Sequence, residues 1–151
     1  MSGAVRIRPA RPSERSALEE LQRRASLANA SDREAILAHP DAIDLPQVQI
    51  DALQVFVAES AGSIQGFAAL IPREDGDLEL DALFVEPDTW RQGIGRRLIE
   101  HCVVVARQQG VAAIHVIGNP QAEGFYRACA FEQVGTTDTR FGIGLLMRRM
   151  V

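Results

Sequence analysis

The chain has 151 residues, 46% of them apolar and 24% charged, a composition that suits one globular domain with a real core. A net charge of −4 at pH 7 argues against nucleic acid or an anionic membrane as the main partner. No apolar run reaches membrane-spanning length, the N-terminus lacks an apolar signal segment, and Cys102 and Cys129 stand outside any CxxC or Cys/His cluster, so a single cytoplasmic domain over residues 1–151 is expected, with no metal and no disulfide framework.

In chain order, residues 5–8 alternate apolar and charged side chains, as a half-buried strand does. Pro12 opens a helix with Ser13 as its N-cap, and Ala17, Leu18, Leu21 and Ala25 form an apolar stripe at helical spacing. Ser31 followed by Glu34 has the form of a capping box and starts a second helix that ends near His39-Pro40. Residues 41–49, broken by Pro46, read as a loop. Three strands follow at 54–59, 64–71 and Leu78–Val85, separated by turns at Gly62-Ser63 and Pro72 to Gly76. The period then changes. Ile94, Leu98, Cys102, Val105 and Ala106 share a helical face that Gly110 ends, and residues 111–117 are a β-branched run. Ala122, Phe125, Tyr126 and Cys129 mark one face of another helix, before closing strands near 131–134 and 145–151. A strand, a helix and a strand in this order make a parallel crossover, which joined to the antiparallel meander gives a mixed α/β sheet.

Ligands of such sheets bind outside the carboxyl ends of parallel strands, which is where Trp90-Arg91-Gln92-Gly93-Ile94-Gly95-Arg96-Arg97 falls. A helix start leaves about four N–H groups without helical partners and carries partial positive charge. Small residues at 93 and 95 let an anion reach those donors, and the neighbouring Arg residues add charge. The plainer reading is a strand-to-helix turn that needs flexible backbone. All 16 basic residues are Arg, so a Walker loop, which needs Lys, is excluded. A Rossmann fingerprint is excluded too, because only two glycines are present and they follow a meander.

Val85 and Pro87, then Arg91-Gln92-Gly93-Ile94-Gly95-Arg96, then Asn119, Phe125-Tyr126 and Ala130-Phe131 together resemble the Gcn5-related N-acetyltransferase family. The element order matches over nearly the whole chain, and the two motif regions span residues 78–131. The resemblance implies an α/β (α+β) fold in the order β-α-α-β-β-β-α-β-α-β-β, with helices on both faces of a mixed sheet. It implies acetyl-CoA as cosubstrate, without a metal, and a primary amine of a small molecule or protein as acceptor. Leu83, Phe84 and Val85 would hold the pantetheine arm and thioester, Arg91, Gln92, Gly93, Ile94, Gly95 and Arg96 the pyrophosphate, and Asn119 and Tyr126 further parts of the cofactor. Tyr126 would protonate the departing thiolate. Trp90 departs from the Gln or Arg usual before the turn, and Ala130 from the usual Gly.

An amine acceptor must lose a proton before it attacks. Glu79 and Asp81 share one face of the third meander strand and are candidate bases, with a solvated strand face as the plainer reading. His115 is a third candidate, or a hydrogen-bonded boundary residue. The competing function is an acyl-CoA-binding sensor that keeps the fold without turnover. A toxin acting on charged tRNA is disfavoured by the acidic charge. Family relatives form dimers, so the resemblance permits a homodimer. The acceptor pocket is expected from the second helix and residues 41–49 and 136–144.

Overall fold

The computed structural model describes residues 4–151, apart from the side chain of Ser31. Seven strands form one mixed sheet in the order β1-β2-β3-β4-β5-β7-β6. The strands are β1 Arg6–Pro9, β2 Val55–Ser60, β3 Ser63–Pro72, β4 Leu78–Val85, β5 Ala113–Gly118, β6 Glu132–Thr139 and β7 Gly142–Met150. The helices are α1 Arg15–Ala28, α2 Ala30–Ala38, α3 Gln47–Asp51, α4 Ile94–Gln108 and α5 Glu123–Ala128. None of the described helices is long and apolar enough to cross a membrane. Two compact units divide the chain, one of residues up to Ala69 with Ala82–Leu98, the other of Leu70–Asp81 with Ile99–Val151.

In the first unit, β1, β2 and β3 pair antiparallel, with a bulge at Ala58/Glu59. Val55 to Ala58 are all buried, so β2 is covered on both faces and needs no polar alternation. Leu18, Leu21 and Ala25 of α1 recur on one helical face and are buried. Leu18 and Leu21 join Leu45, Ile50, Val57 and Phe67 in the core, with Phe84 packed at its edge. Each such side chain contributes roughly 1.5–3 kcal/mol by leaving water.

The start of α1 differs from expectation. A 3-10 turn spans Pro12–Glu14, and the Glu14 carboxylate, not Ser13, reaches back to the Arg11 N–H at 2.7 Å. That carboxylate also takes two hydrogen bonds from Arg8, at 2.9 and 2.8 Å, and these hold its pKa below the ordinary value against the opposing effect of burial. A charged acceptor with a bidentate partner outcompetes a hydroxyl. Helix α2 begins at Ala30, one residue ahead of the expected cap, and the expected Ser31–Glu34 capping box involves a side chain outside the described ones. The stretch read as a loop contains α3, which follows Pro46 directly and buries Ile50. Pro46 is the N-cap, with extended backbone, where its missing N–H costs no helical bond, so what reads as a breaker in sequence stands here at a helix entry.

In the second unit, β5 pairs with β7 and β6 with β7, both antiparallel, while β4 and β5 run parallel. Strands β6 and β7 extend to a short connection at Arg140-Phe141. Residues 136–144, placed from sequence in the acceptor pocket between two short strands, are therefore mostly strand. Their threonines suit a pleated surface, but an exposed strand shows no apolar alternation to read. Helix α5 buries Tyr126 and Cys129, whereas Phe125 is 39% exposed and does not share their face.

The exit of α5 is a Schellman motif. Phe131 N–H bonds the Tyr126 carbonyl and Ala130 N–H the Arg127 carbonyl, both at 3.0 Å. The rings of Tyr126 and Phe131 meet edge to face at 5.6 Å. Ala130 occupies the left-handed position, with φ 67°, where a Cβ is strained. Ala130→Gly is therefore expected to stabilise the protein by about 0.5–1 kcal/mol, the strain relieved minus the added freedom of the unfolded chain. Thermal unfolding should show a Tm rise of about 1–4 °C. A fall in Tm would mean that the backbone at 130 is not strained.

Candidate functional site

One candidate region lies in the first unit, where β4 passes into α4. Glu86 N–H donates to the Gln65 carbonyl at 2.8 Å, and a 3-10 turn covers Pro87–Thr89. Thr89 bonds the Glu86 carbonyl through its N–H at 2.9 Å and its hydroxyl at 2.8 Å. The indole N–H of Trp90 donates to the Val85 carbonyl at 2.8 Å. Trp90 thus ties the turn to the end of β4, a structural task that accounts for its departure from the family pattern.

Arg91 and Gly93 then take left-handed backbone, φ 68° and 81°, a conformation that opens concave arrays of N–H groups suited to anions. A Cβ at Gly93 would meet no heavy atom within 4 Å, so the glycine is demanded by φ, not by crowding. The first hydrogen bond into α4 runs from Arg97 N–H to the Gly93 carbonyl at 3.1 Å. The N–H groups of Ile94, Gly95 and Arg96 are therefore left without helical partners. Ile94 and Gly95 are buried, while Arg91, Gln92, Gly93 and Arg96 are exposed. Glu86 does not cancel their charge. Arg24 holds both its oxygens at 2.8 Å, and this hydrogen bond lowers the Glu86 pKa against the opposing effect of burial.

Leu83, Phe84 and Val85, just before the turn, are half-buried. Phe84 stacks tilted on Phe67, with centroids 5.7 Å apart. A Cβ at Gly66 of β3 would come within 2.9 Å of the Phe84 carbonyl oxygen. Only glycine there permits that backbone approach.

A separate candidate region lies in the second unit. On β4, Leu78 and Leu80 are buried, Glu79 is intermediate and Asp81 exposed, which is the alternation expected from sequence. The parallel register places Glu79 beside His115, and the antiparallel register places His115 beside Arg148 and Arg148 beside Glu132. Residues in register share a face, so these four make a polar row across four strands. Asp77 was not singled out from sequence. Its Oδ2 lies 2.8 Å from His115 Nε2, and the only local sign of it is the alternation Asp77-x-Glu79-x-Asp81. Arg73 pairs with Asp75 at 3.1 Å and with Glu79 at 3.7 Å. Carboxylate and imidazole atoms of Asp75, Asp77 and His115 fall within 4.8 Å of one another, but the positive group at this cluster is already the Arg73 guanidinium, and no cation site is inferred.

Asn119 caps a 3-10 turn at Pro120–Ala122, its Oδ1 accepting from Gln121 N–H at 2.9 Å. That turn leads into α5 and Tyr126. The Tyr126 ring contacts Phe125 and Phe131 edge to face, and a Cβ at Gly118 would stand 3.3 Å from two of its ring carbons. Burial, with a smaller effect from Cys129, pushes the Tyr126 phenol up to about 12, so it is protonated at neutral pH.

Comparison with known proteins identifies the family and the fold. The family model described as the acetyltransferase (GNAT) family matches residues 16–131. The peptidyl-lysine N-acetyltransferase YjaB of Salmonella typhimurium is 39% identical over 59 residues, 39% of this chain and 39% of that protein. The chain spans under half the length of the curated relatives it matches. The crystal structure of the PaiA N-acetyltransferase of Thermoplasma acidophilum, in complex with coenzyme A, superposes with a TM-score of 0.78 at 17% identity, covering 98% of this chain and 99% of that one. The structure of YncA from Salmonella typhimurium with its cofactor acetyl-CoA gives 0.70 at 22% identity, covering 98% and 94%. At these identities the likeness to solved structures is one of fold.

Proposed function

The chain belongs to the acetyltransferase (GNAT) family, and from that premise we propose that it binds acetyl-CoA and moves the acetyl group to a primary amine by direct attack. The observation that carries the reading is the turn at 91–96, with left-handed Arg91 and Gly93, three unpartnered N–H groups and exposed Arg91 and Arg96. Such an array at the start of a 15-residue helix suits a pyrophosphate. The coenzyme A and acetyl-CoA in the PaiA and YncA structures support the same donor for this chain. In this reading Leu83, Phe84 and Val85 hold the pantetheine arm and thioester, Gln92, Ile94 and Gly95 complete the cradle, and Asn119 sets the helix that carries Tyr126. Glu79 and Asp81 supply negative charge that favours a cationic acceptor.

Two protons must leave the acceptor ammonium. One goes to a base before attack, and the second balances the proton that the leaving thiolate takes from Tyr126. The N–C bond forms as the C–S bond breaks.

The test is thiol release from acetyl-CoA with a panel of primary amines that includes a lysine peptide, an arylalkylamine and a polyamine. Release with at least one amine is expected. Tight acetyl-CoA binding without release on any of them would instead mark a sensor that keeps the fold.

A further inference from the structure

We propose that Arg24 of α1 is a positioning residue for the turn at 91–96: by holding the Glu86 carboxylate it fixes the base of that turn and offsets a negative charge beside the pyrophosphate cradle. The assignment rests on the acetyl-CoA reading above. Every residue it uses lies in the first unit.

The first observation is how Glu86 is employed. Its N–H donates to the Gln65 carbonyl of β3 at 2.8 Å, and its carbonyl takes both bonds from Thr89. The side chain completes the set. Arg24 Nε donates to one carboxylate oxygen and a terminal guanidinium nitrogen to the other, both at 2.8 Å. A forked pair of this kind fixes direction as well as distance. One residue thus ties β3, α1 and the turn together, and its α1 partner stands 62 positions away in sequence.

The second is the dependence of the turn on that base. Beyond Thr89 the bonds lengthen, to 3.2 Å from Trp90 N–H to the Pro87 carbonyl and 3.3 Å from Gln92 N–H to the Thr89 carbonyl. The left-handed residues Arg91 and Gly93 come next. On this side the concave array of N–H groups takes its orientation from the base, where the bonds are short.

The third is charge. Glu86 and Asp88 stand just ahead of a turn whose N–H groups suit an anion, and a bare carboxylate there opposes a pyrophosphate. Arg24 answers both. The Glu86 hydrogen bond holds its guanidinium above the ordinary pKa against partial burial, and the charges of Glu20 and Asp88 add to this. Exposed ion pairs add little to global stability, so the effect of this one is local and separable from folding.

The experiment uses the full chain. Its single Trp is Trp90, whose indole is bonded to the Val85 carbonyl within the turn, so its emission reports the turn alone. Arg24→Ala is expected to weaken acetyl-CoA binding by about 10-fold in calorimetry, the worth of one hydrogen bond to a charged group. It should also shift Trp90 emission to longer wavelength and lower its anisotropy before any cofactor is added, while Tm falls by no more than about 4 °C. Arg24→Lys, which keeps the charge but not the fork, should lie between. Arg24→Ala with Glu86→Gln, which also removes the stranded carboxylate, should regain about 3-fold of the affinity. Arg15→Ala breaks bonds from the same helix to the Leu45 carbonyl and to Asp44, and should leave Trp90 emission and acetyl-CoA affinity as they are. Unchanged affinity and unchanged emission in Arg24→Ala overturn the proposal. So does an equal loss in Arg15→Ala, which would mean that any loosening of α1 has this effect. If the unaltered protein binds no acetyl-CoA, the acetyl-transfer reading fails, and the hold of Arg24 on the turn is still decided by Trp90 emission.

Discussion

Tyr126→Phe is expected to lower kcat by about 10²–10⁴-fold, the range that a positioned general acid supplies, and to leave acetyl-CoA affinity and thermal stability close to unaltered. The expectation rests on what the substitution keeps. The ring's edge-to-face contacts with Phe125 and Phe131 and its seat on Gly118 involve carbon atoms that phenylalanine shares. The hydroxyl bonds no described residue, so its removal leaves no buried partner unsatisfied. What is lost is a proton. Against a thiol in water, with a pKa of about 8.5, a phenol near 12 would donate uphill by roughly 5 kcal/mol. Burial corrects that comparison, because desolvation raises a thiol as well: the buried Cys102 of this protein is itself pushed up to about 12. A thiolate leaving in a site that excludes water would be matched to the phenol more closely than one leaving in bulk water. Steady-state kinetics beside a thermal melt decide the matter, and unchanged kcat removes Tyr126 from the chemistry.

The second large effect is structural. Phe67→Ala should destabilise the protein by about 3–5 kcal/mol, the usual loss for truncating a buried Phe, and lower Tm by roughly 6–20 °C. Phe67 is fully buried in the first unit's core beside Leu18, Leu21 and Val57. Its ring also supports Phe84, one residue before the carbonyl of Val85 that anchors Trp90. The cavity should therefore loosen the strand end that leads into the turn and raise the KM for acetyl-CoA. Phe67→Leu, which keeps most of the volume, should cost about 1–2 kcal/mol and spare the KM. Denaturant unfolding of both variants checks this. A loss below about 1 kcal/mol for the alanine variant would show that Phe67 is not a keystone of this core.

These expectations draw unequally on sequence and structure. The glycine turn, the meander, the α4 face and the Glu79/Asp81 alternation were legible because each is a local pattern, repeated at the period of its own element. Tyr126 was singled out through the spacing of Asn119, Phe125-Tyr126 and Phe131, and its burial is what the structure adds. Other features were misread for local reasons. Pro46 looked like a break but starts α3. Thr136 and Thr137 lie in a strand whose burial does not alternate cleanly. Phe125 was set on the buried face because helical spacing leaves the depth of a short helix open.

The sequence by itself determined the family, the order of the strands and the place of the glycine turn between β4 and α4, since sterics and periodicity act over a few residues. Only the tertiary structure decided which charged groups meet. Asp77 and His115 are 38 residues apart; Asp77 lies just ahead of β4, and the pairing of Glu79 with His115 brings that turn to the imidazole, which no local pattern encodes. The same holds for the row from Glu79 through His115 and Arg148 to Glu132. A slip of one residue in any of these pairings would turn the partners to opposite faces. Packing across the sheet selects the register, and the register places a carboxylate against the imidazole.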